Sequence, residues 1–185
     1  MSSLVAPIKV WDRLVRLLHW ALVASVVMAW ISTLGLGLVK AHEPAGYIAL
    51  GVVALRIIWG FSGSRYARFS QFVRGKREVL HYAGQLQAGN EPRYIGHNPL
   101  GGWMVLLLLS LVVSLGLTGW LYTTDYFWGM AWLDTLHHAL AWALLALIAL
   151  HLAGVVFTSQ RHRENLVTAM FSGRKAPPGT GDTIT

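Results

Sequence analysis

The chain has 185 residues, of which 55% are hydrophobic and only 12% charged, with a mean hydropathy of +0.50. Such a composition excludes an ordinary soluble domain of this length and places the chain in the membrane class. The absence of cysteine excludes disulfides and thiolate metal sites, and a net charge of +7 needs no nucleic acid if the cations collar a membrane.

Four stretches are long and nearly free of charge. Residues 17–39, 94–124 and 135–160 contain no Asp, Glu, Lys or Arg, and 44–64 contains only Arg56. A span needs roughly 20 apolar residues, so four transmembrane helices are predicted, over about 14–39, 43–63, 98–123 and 133–160. Lipid leaves the backbone no other partner, and the fold class is an all-α integral membrane four-helix bundle. The first segment follows Lys9, Arg13 and Arg16 as a signal peptide would. Its apolar run exceeds the roughly 7–15 residues of a signal core and ends at no A-x-A site, so it is read as helix 1.

Between the second and third spans lies a basic connection, about 64–97, containing "FSQFVRGKREVLHYAGQLQAG". Phe69, Phe72, Val73, Val79 and Leu80 are spaced as on a helix lying in the membrane interface. Residues 1–172 form one domain, and the Pro/Gly-rich tail 173–185 is expected to be disordered. Trp11, Trp20, Tyr122, Tyr126, Trp128 and Trp132 fall near span ends, as interfacial belts do. Gly46, Gly51, Gly116 and Gly119 suit either close helix packing or room for a flat ligand.

All but two of the 15 Lys and Arg residues precede helix 1, follow helix 4 or lie in the 64–97 connection; the exceptions are Lys40 and Arg56. The positive-inside rule therefore predicts that both termini and this connection are cytoplasmic.

Histidines are costly in such a chain. Fourteen residues fall only about 40° short of four helical turns, so His137 and His151 share one face of helix 4, about 21 Å apart. His138 lies about 140° off the His151 direction. His19 enters helix 1 from the cytoplasmic end and His42 opens helix 2 from the other. By topology His19 is the partner of His151, and His42 that of His137. One histidine near a span end is ordinarily an interfacial residue. Two facing pairs at two depths are what two bis-imidazole irons require, each in a porphyrin held between helices. Levelling His19 with His151 requires helix 4 to run past the membrane surface by about 10 Å. Arg56 also lies fourteen residues from its histidine, His42, and reaches the inner level on the same face. It either snorkels to the interface or meets a haem propionate there, as can Arg16, one turn before His19.

At these residues the sequence resembles a family. "VWDRLVRLLHW", "HEPAGY" with "LRIIWGFSG", "YARFSQFVRG" and "LHHALAWALLALIALH" look like the bacterial cytochrome b561 proteins and the b-type cytochrome subunit of nickel–iron hydrogenases. The likeness runs from residue 8 to about 172. It implies a bacterial inner-membrane multi-pass protein with two non-covalent b haems. His19, His42, His137 and His151 match the family's axial ligands, with the doubled His137–His138 leaving one assignment open. It implies electron transfer across the membrane between quinone and a periplasmic redox partner.

The non-cytoplasmic connections carry Lys40 against Glu43, Asp125 and Asp134. This mildly negative surface suits a docked basic protein, such as a c-type cytochrome or an electron-transfer subunit. A superoxide:quinone oxidoreductase is the alternative, although superoxide is better steered by positive charge. A haem-free histidine-rich ion carrier is a third reading, and dimerisation stays open. Quinone is expected on the cytoplasmic side, near Arg56, His81, His97 and His162, where imidazoles can exchange protons.

Overall fold

The computed structural model describes residues 6–184. It is all-α apart from one short strand pair. The elements are β1 (Ile8–Lys9), α1 (Arg13–Ser32), α2 (His42–Ser62), α3 (Phe69–Phe72), α4 (Lys76–Ala88), α5 (Pro99–Tyr122), α6 (Ala131–Arg161), α7 (Leu166–Ser172) and β2 (Arg174–Lys175). Four of these helices (α1, α2, α5 and α6) are long and apolar enough to cross a membrane. They are apolar on nearly all sides: Leu55, Ile58 and Leu150 remain 56%, 62% and 58% exposed, as lipid-facing side chains would be. The chain is a multi-pass membrane helical bundle.

Helix α1 is shorter than the hydropathy implied. It stops at Ser32 rather than near 39, because Gly35 and Gly37 take φ of +73° in a turn that leads into a short 3-10 segment, Val39–Ala41. Leu34, Leu36 and Val39 keep the stretch apolar without keeping it helical. At the other extreme, α6 has 31 residues. That length is about 46 Å, well beyond the roughly 30 Å hydrocarbon thickness.

The chain divides into two compact units: Leu17–Ile57 with Leu106–Ala149, and the residues up to Arg16 with Ile58–Val105 and Leu150 onward. In the first unit all four long helices touch. Leu50 of α2 fills the space beside Gly116 of α5, where a Cβ would come within 3.0 Å of Leu50 Cδ1. Trp30 of α1 meets Trp142 of α6 edge-on at 5.4 Å.

The second unit gathers the basic connection and the C-terminal segment around Val10, Trp11, Val15, Ala67, Ile95 and Ala169. Asp12 caps α1 by accepting the Val15 amide at 2.8 Å, while its other oxygen accepts from Trp59 at 3.0 Å and from Ser64. Burial raises the Asp12 carboxyl, but these three donors outweigh it and hold the group below its ordinary 3.8. The residues expected on one interfacial helix fall on two: Phe69 and buried Phe72 on α3, and Val79 and Leu80 on α4, where Leu80 is 60% exposed, Tyr82 is buried and Gly89 closes the helix in the left-handed region.

The tail differs from the expectation of disorder. Strand β2 pairs antiparallel with β1, Ile8 opposite Lys175 and Lys9 opposite Arg174. Arg93 binds Glu164 at 2.7 Å and Asp182 at 2.5 Å, and Lys175 binds Glu164 at 3.1 Å. Partly buried ion pairs, rather than apolar side chains, hold this Pro/Gly-rich stretch.

Candidate functional site

Two histidines of the first unit face each other. His42 is the first residue of α2, and His137 lies two turns into α6. Their ring centres are 6.1 Å apart with planes at 69°.

Each ring is held by its Nδ1. That of His42 lies 3.0 Å from the carbonyl oxygen of Ala29 and 3.1 Å from Ser32 Oγ. Ala29 is in the last turn of α1, where carbonyls lack intrahelical partners. A carbonyl only accepts, so Nδ1 carries the proton. Ser32 spends its own hydroxyl hydrogen on the same carbonyl, at 2.6 Å. Nδ1 of His137 lies 2.9 Å from Thr118 Oγ1 on α5. The Thr118 hydrogen is committed to the Ser114 carbonyl at 2.9 Å, leaving its oxygen to accept from Nδ1–H. In both rings Nε2 remains an unprotonated Lewis base, and a partner on the far nitrogen is how metal-binding imidazoles are fixed.

The spacing suits a particular occupant. With metal–nitrogen bonds of about 2 Å on each side, and about 1.2 Å from nitrogen to ring centre, two axial imidazoles stand about 6.4 Å apart. The observed separation is close to that. Among the described residues no group of three or more His, Cys, Asp or Glu side chains could hold a bare metal ion. Two imidazoles suit an iron whose other four positions are filled by a macrocycle. On α5 the glycines are packing contacts: Gly119 lies beside the His137 ring, where a Cβ would come within 3.4 Å of Cε1. On α2 they are not. A Cβ on Gly46, one turn from His42, or on Gly51 would meet nothing within 4 Å.

His138 is placed differently. Its side chain is 68% exposed, and its Nδ1 folds back to the Asp134 carbonyl of its own helix at 2.9 Å. His19 lies on α1, with its ring edge-on to Trp20 at 5.2 Å. His151 lies on α6, partly buried in register with His137 and Leu144. Arg56 is only 8% exposed, on the face of α2 that also buries Ala45, Ala49 and Val53.

Arg16 belongs to the second unit, where it donates to the carbonyl of Phe171. The three further histidines have separate settings. His81 is exposed on α4. His97 is packed between Trp11 and Phe72, at 4.7 and 4.6 Å. His162 sits just past α6, where burial first, then the cations Arg93, Arg161 and Lys175, lower its affinity for a proton against the opposing pull of Glu91.

Residues 10–173 match the description of prokaryotic cytochrome b561. The chain belongs to that family. Similar curated proteins include two named as probable Ni/Fe-hydrogenase B-type cytochrome subunits. That of Rhodobacter capsulatus is 29% identical over a 160-position alignment covering 73% of this chain and 61% of the relative. That of Rhizobium leguminosarum bv. viciae is 25% identical over 159 positions, covering 72% and 66%. The alignments thus span less than two thirds of either relative's length. No solved structure matches. A b-type cytochrome carries haem b, and the His42–His137 pair fits that group in spacing, tautomer and free nitrogens. Membership in a prokaryotic family, with four apolar spanning helices, makes this cytochrome b561 protein a multi-pass protein of the bacterial inner membrane.

Sequence reasoning did not find Thr118, Ser32 or the Ala29 carbonyl. Thr118 had a visible signal, as a hydroxyl in the middle of an apolar span.

Proposed function

We propose that this chain is a di-haem cytochrome b that moves electrons across the inner membrane between quinone and a redox protein on the opposite side. The observation carrying the reading is the His42–His137 pair, 6.1 Å between ring centres with both Nδ1 atoms already bonded. Bound between them, haem b supplies a one-electron couple that needs no bond rearrangement in the protein. The chain's part is to fix both imidazoles, keep Nε2 unprotonated, and surround the site with apolar helix.

His19 and His151 are proposed as the second ligand pair. Support comes from the fourteen-residue spacing between His137 and His151 and from the family, and Arg56 is proposed to neutralise a propionate. Both termini are proposed to be cytoplasmic, on the distribution of Lys and Arg. Quinone is proposed on that side, near Arg56, with His81, His97 and His162 as candidate proton carriers. The opposite surface exposes Glu43, Asp125 and Asp134 against Lys40, which suits a basic docking protein. The relatives' names make a hydrogenase the first partner to try, with a c-type cytochrome next. The same negative surface argues against superoxide as the donor.

The deciding measurement is a pyridine haemochrome assay on the purified chain, expected to give two haems per polypeptide. His42→Ala and His137→Ala should each remove one haem, and His19→Ala and His151→Ala the other. One haem per wild-type chain overturns the di-haem reading. No haem at all returns the chain to the ion-carrier reading.

A further inference from the structure

Lys9, Arg13, Arg16, Arg174 and Ser172 line a cavity of about 180 Å³ in the second unit, with no carboxylate among them. We propose that this cavity binds a phosphate ester, the headgroup of an anionic phospholipid. The inference rests on the chain being a membrane protein and is independent of its haems.

Four cations around one hollow repel one another, and the fold does not let them part. Lys9 and Arg174 are directly opposite in the β1–β2 pair, where like charges are destabilising. Gly173 pins the chain there, its carbonyl accepting from the Val10 and Trp11 amides at 2.9 and 3.1 Å. Its φ of +77°, and the 2.5 Å that would separate a Cβ from the Trp11 oxygen, admit no other residue without displacement.

Nearby acids are engaged elsewhere. Asp12 accepts from Val15, Trp59 and Ser64, and Glu164 and Asp182 hold Arg93. Arg16 has one terminal nitrogen on the Phe171 carbonyl, while its Nε is buried with no hydrogen-bond partner among the described residues. An external anion would answer both the repulsion and the unmet donor.

Phosphate is the chemistry that three guanidinium groups and an ammonium favour, because its tetrahedral oxygens accept several charge-assisted bonds at once. The location favours a lipid as its source. Arg13 opens a membrane-spanning helix and Arg16 follows one turn later. Beside the cavity, α7 leaves Val167 and Phe171 51% and 61% exposed, one turn apart, as a surface for an acyl chain.

The test uses the full chain with its haems, purified in a zwitterionic detergent and titrated with phosphatidylglycerol, phosphatidylcholine or inorganic phosphate. Native mass spectrometry and thermal melting are the readouts. Phosphatidylglycerol should be retained and raise the melting temperature, and phosphatidylcholine should do neither. Each of Lys9→Gln, Arg13→Gln and Arg174→Gln should weaken retention about fivefold, whereas Arg65→Gln and Arg68→Gln, outside the cavity, should not. Equal loss in those controls would mean diffuse surface charge and overturn the site. An equal response to inorganic phosphate would overturn the lipid assignment. Loss of haem absorbance together with lipid in the cavity variants would mean that the anion is a haem carboxylate, which also overturns the proposal.

Discussion

Thr118→Val tests the His42–His137 site without touching either proposed ligand. Valine keeps the shape and removes one oxygen, the atom 2.9 Å from His137 Nδ1. Thr118 is 7% exposed in an apolar helix, so no water replaces it. The His137 N–H then loses its acceptor, at a cost of about 1–3 kcal/mol, equivalent to about 5- to 160-fold in affinity. The range matches the roughly 10–100-fold seen when the outer partner of a metal-bound histidine is removed. The low end applies if the ring turns to a backbone carbonyl. The assay is the rate at which haem passes to an excess of a haem-scavenging protein, with the midpoint potential of each haem. Of the two proposed haems, one should leave at least fivefold faster. Its potential should rise, because an imidazole that has lost its acceptor is a poorer base and supports the oxidised iron less well. Thr118→Ser should restore both. Unchanged rates and potentials in Thr118→Val would mean that Thr118 does not hold a ligand, and would refute the assignment of His137.

His138→Ala should leave haem content and spectra unchanged, since His138 bonds only its own helix; loss of a haem there, with His137→Ala intact, would reverse the two. Ser32→Ala should accelerate haem loss less than Thr118→Val, because the Ala29 carbonyl still accepts from His42; a larger effect would make Ser32 the principal anchor. Acid should free the C-terminal segment. Burial raises Glu164 and Asp182, but for Glu164 the neighbouring Arg93 and Lys175, and for Asp182 the Gly179 amide and Arg93, prevail and hold both below their ordinary 4.5 and 3.8. A folded value below the unfolded one gives stability that is present above the ordinary value and lost as pH falls through the depressed one. Protection of residues 174–183 against hydrogen exchange, corrected for the intrinsic pH dependence of exchange, should therefore hold from pH 7 to 5 and fall below about 4; loss of protection between pH 7 and 5 would contradict this. Arg93→Gln should free the same segment at pH 7, at a cost on the order of 2 kcal/mol, read by limited proteolysis.

What was legible in the sequence was whatever follows from helical rotation and from counting charges. The four spans, the common face of His137 and His151, and the outward turn of His138 are matters of angle per residue. The end of α1 was not legible by the same means. Leu34, Leu36, Leu38 and Val39 extend the hydropathy past Ser32, and hydropathy does not register that Gly35 and Gly37 adopt positive φ. That misreading bears on the site, since ending α1 at Ser32 is what leaves the Ala29 carbonyl free to orient His42.

The C-terminal segment hid for a different reason. Its composition gives no apolar pattern, and its order comes from partners far away in sequence: Arg93 for Asp182, 89 residues apart, and Tyr94 for Lys175, 81 apart. A one-dimensional reading sees Lys175 as a solvated charge; the fold buries it to 5% exposure beside Glu164. Thr118 falls between these cases. A hydroxyl in an apolar helix ordinarily bonds the carbonyl one turn back, as Ser25 and Ser114 do at 2.8 and 2.9 Å. Thr118 does that as well, and the bond to His137 is the contact outside its own helix that separates it from them. The proposed ligand is therefore readable from spacing. The residue that fixes the ligand's tautomer becomes readable only once α5 and α6 are packed together.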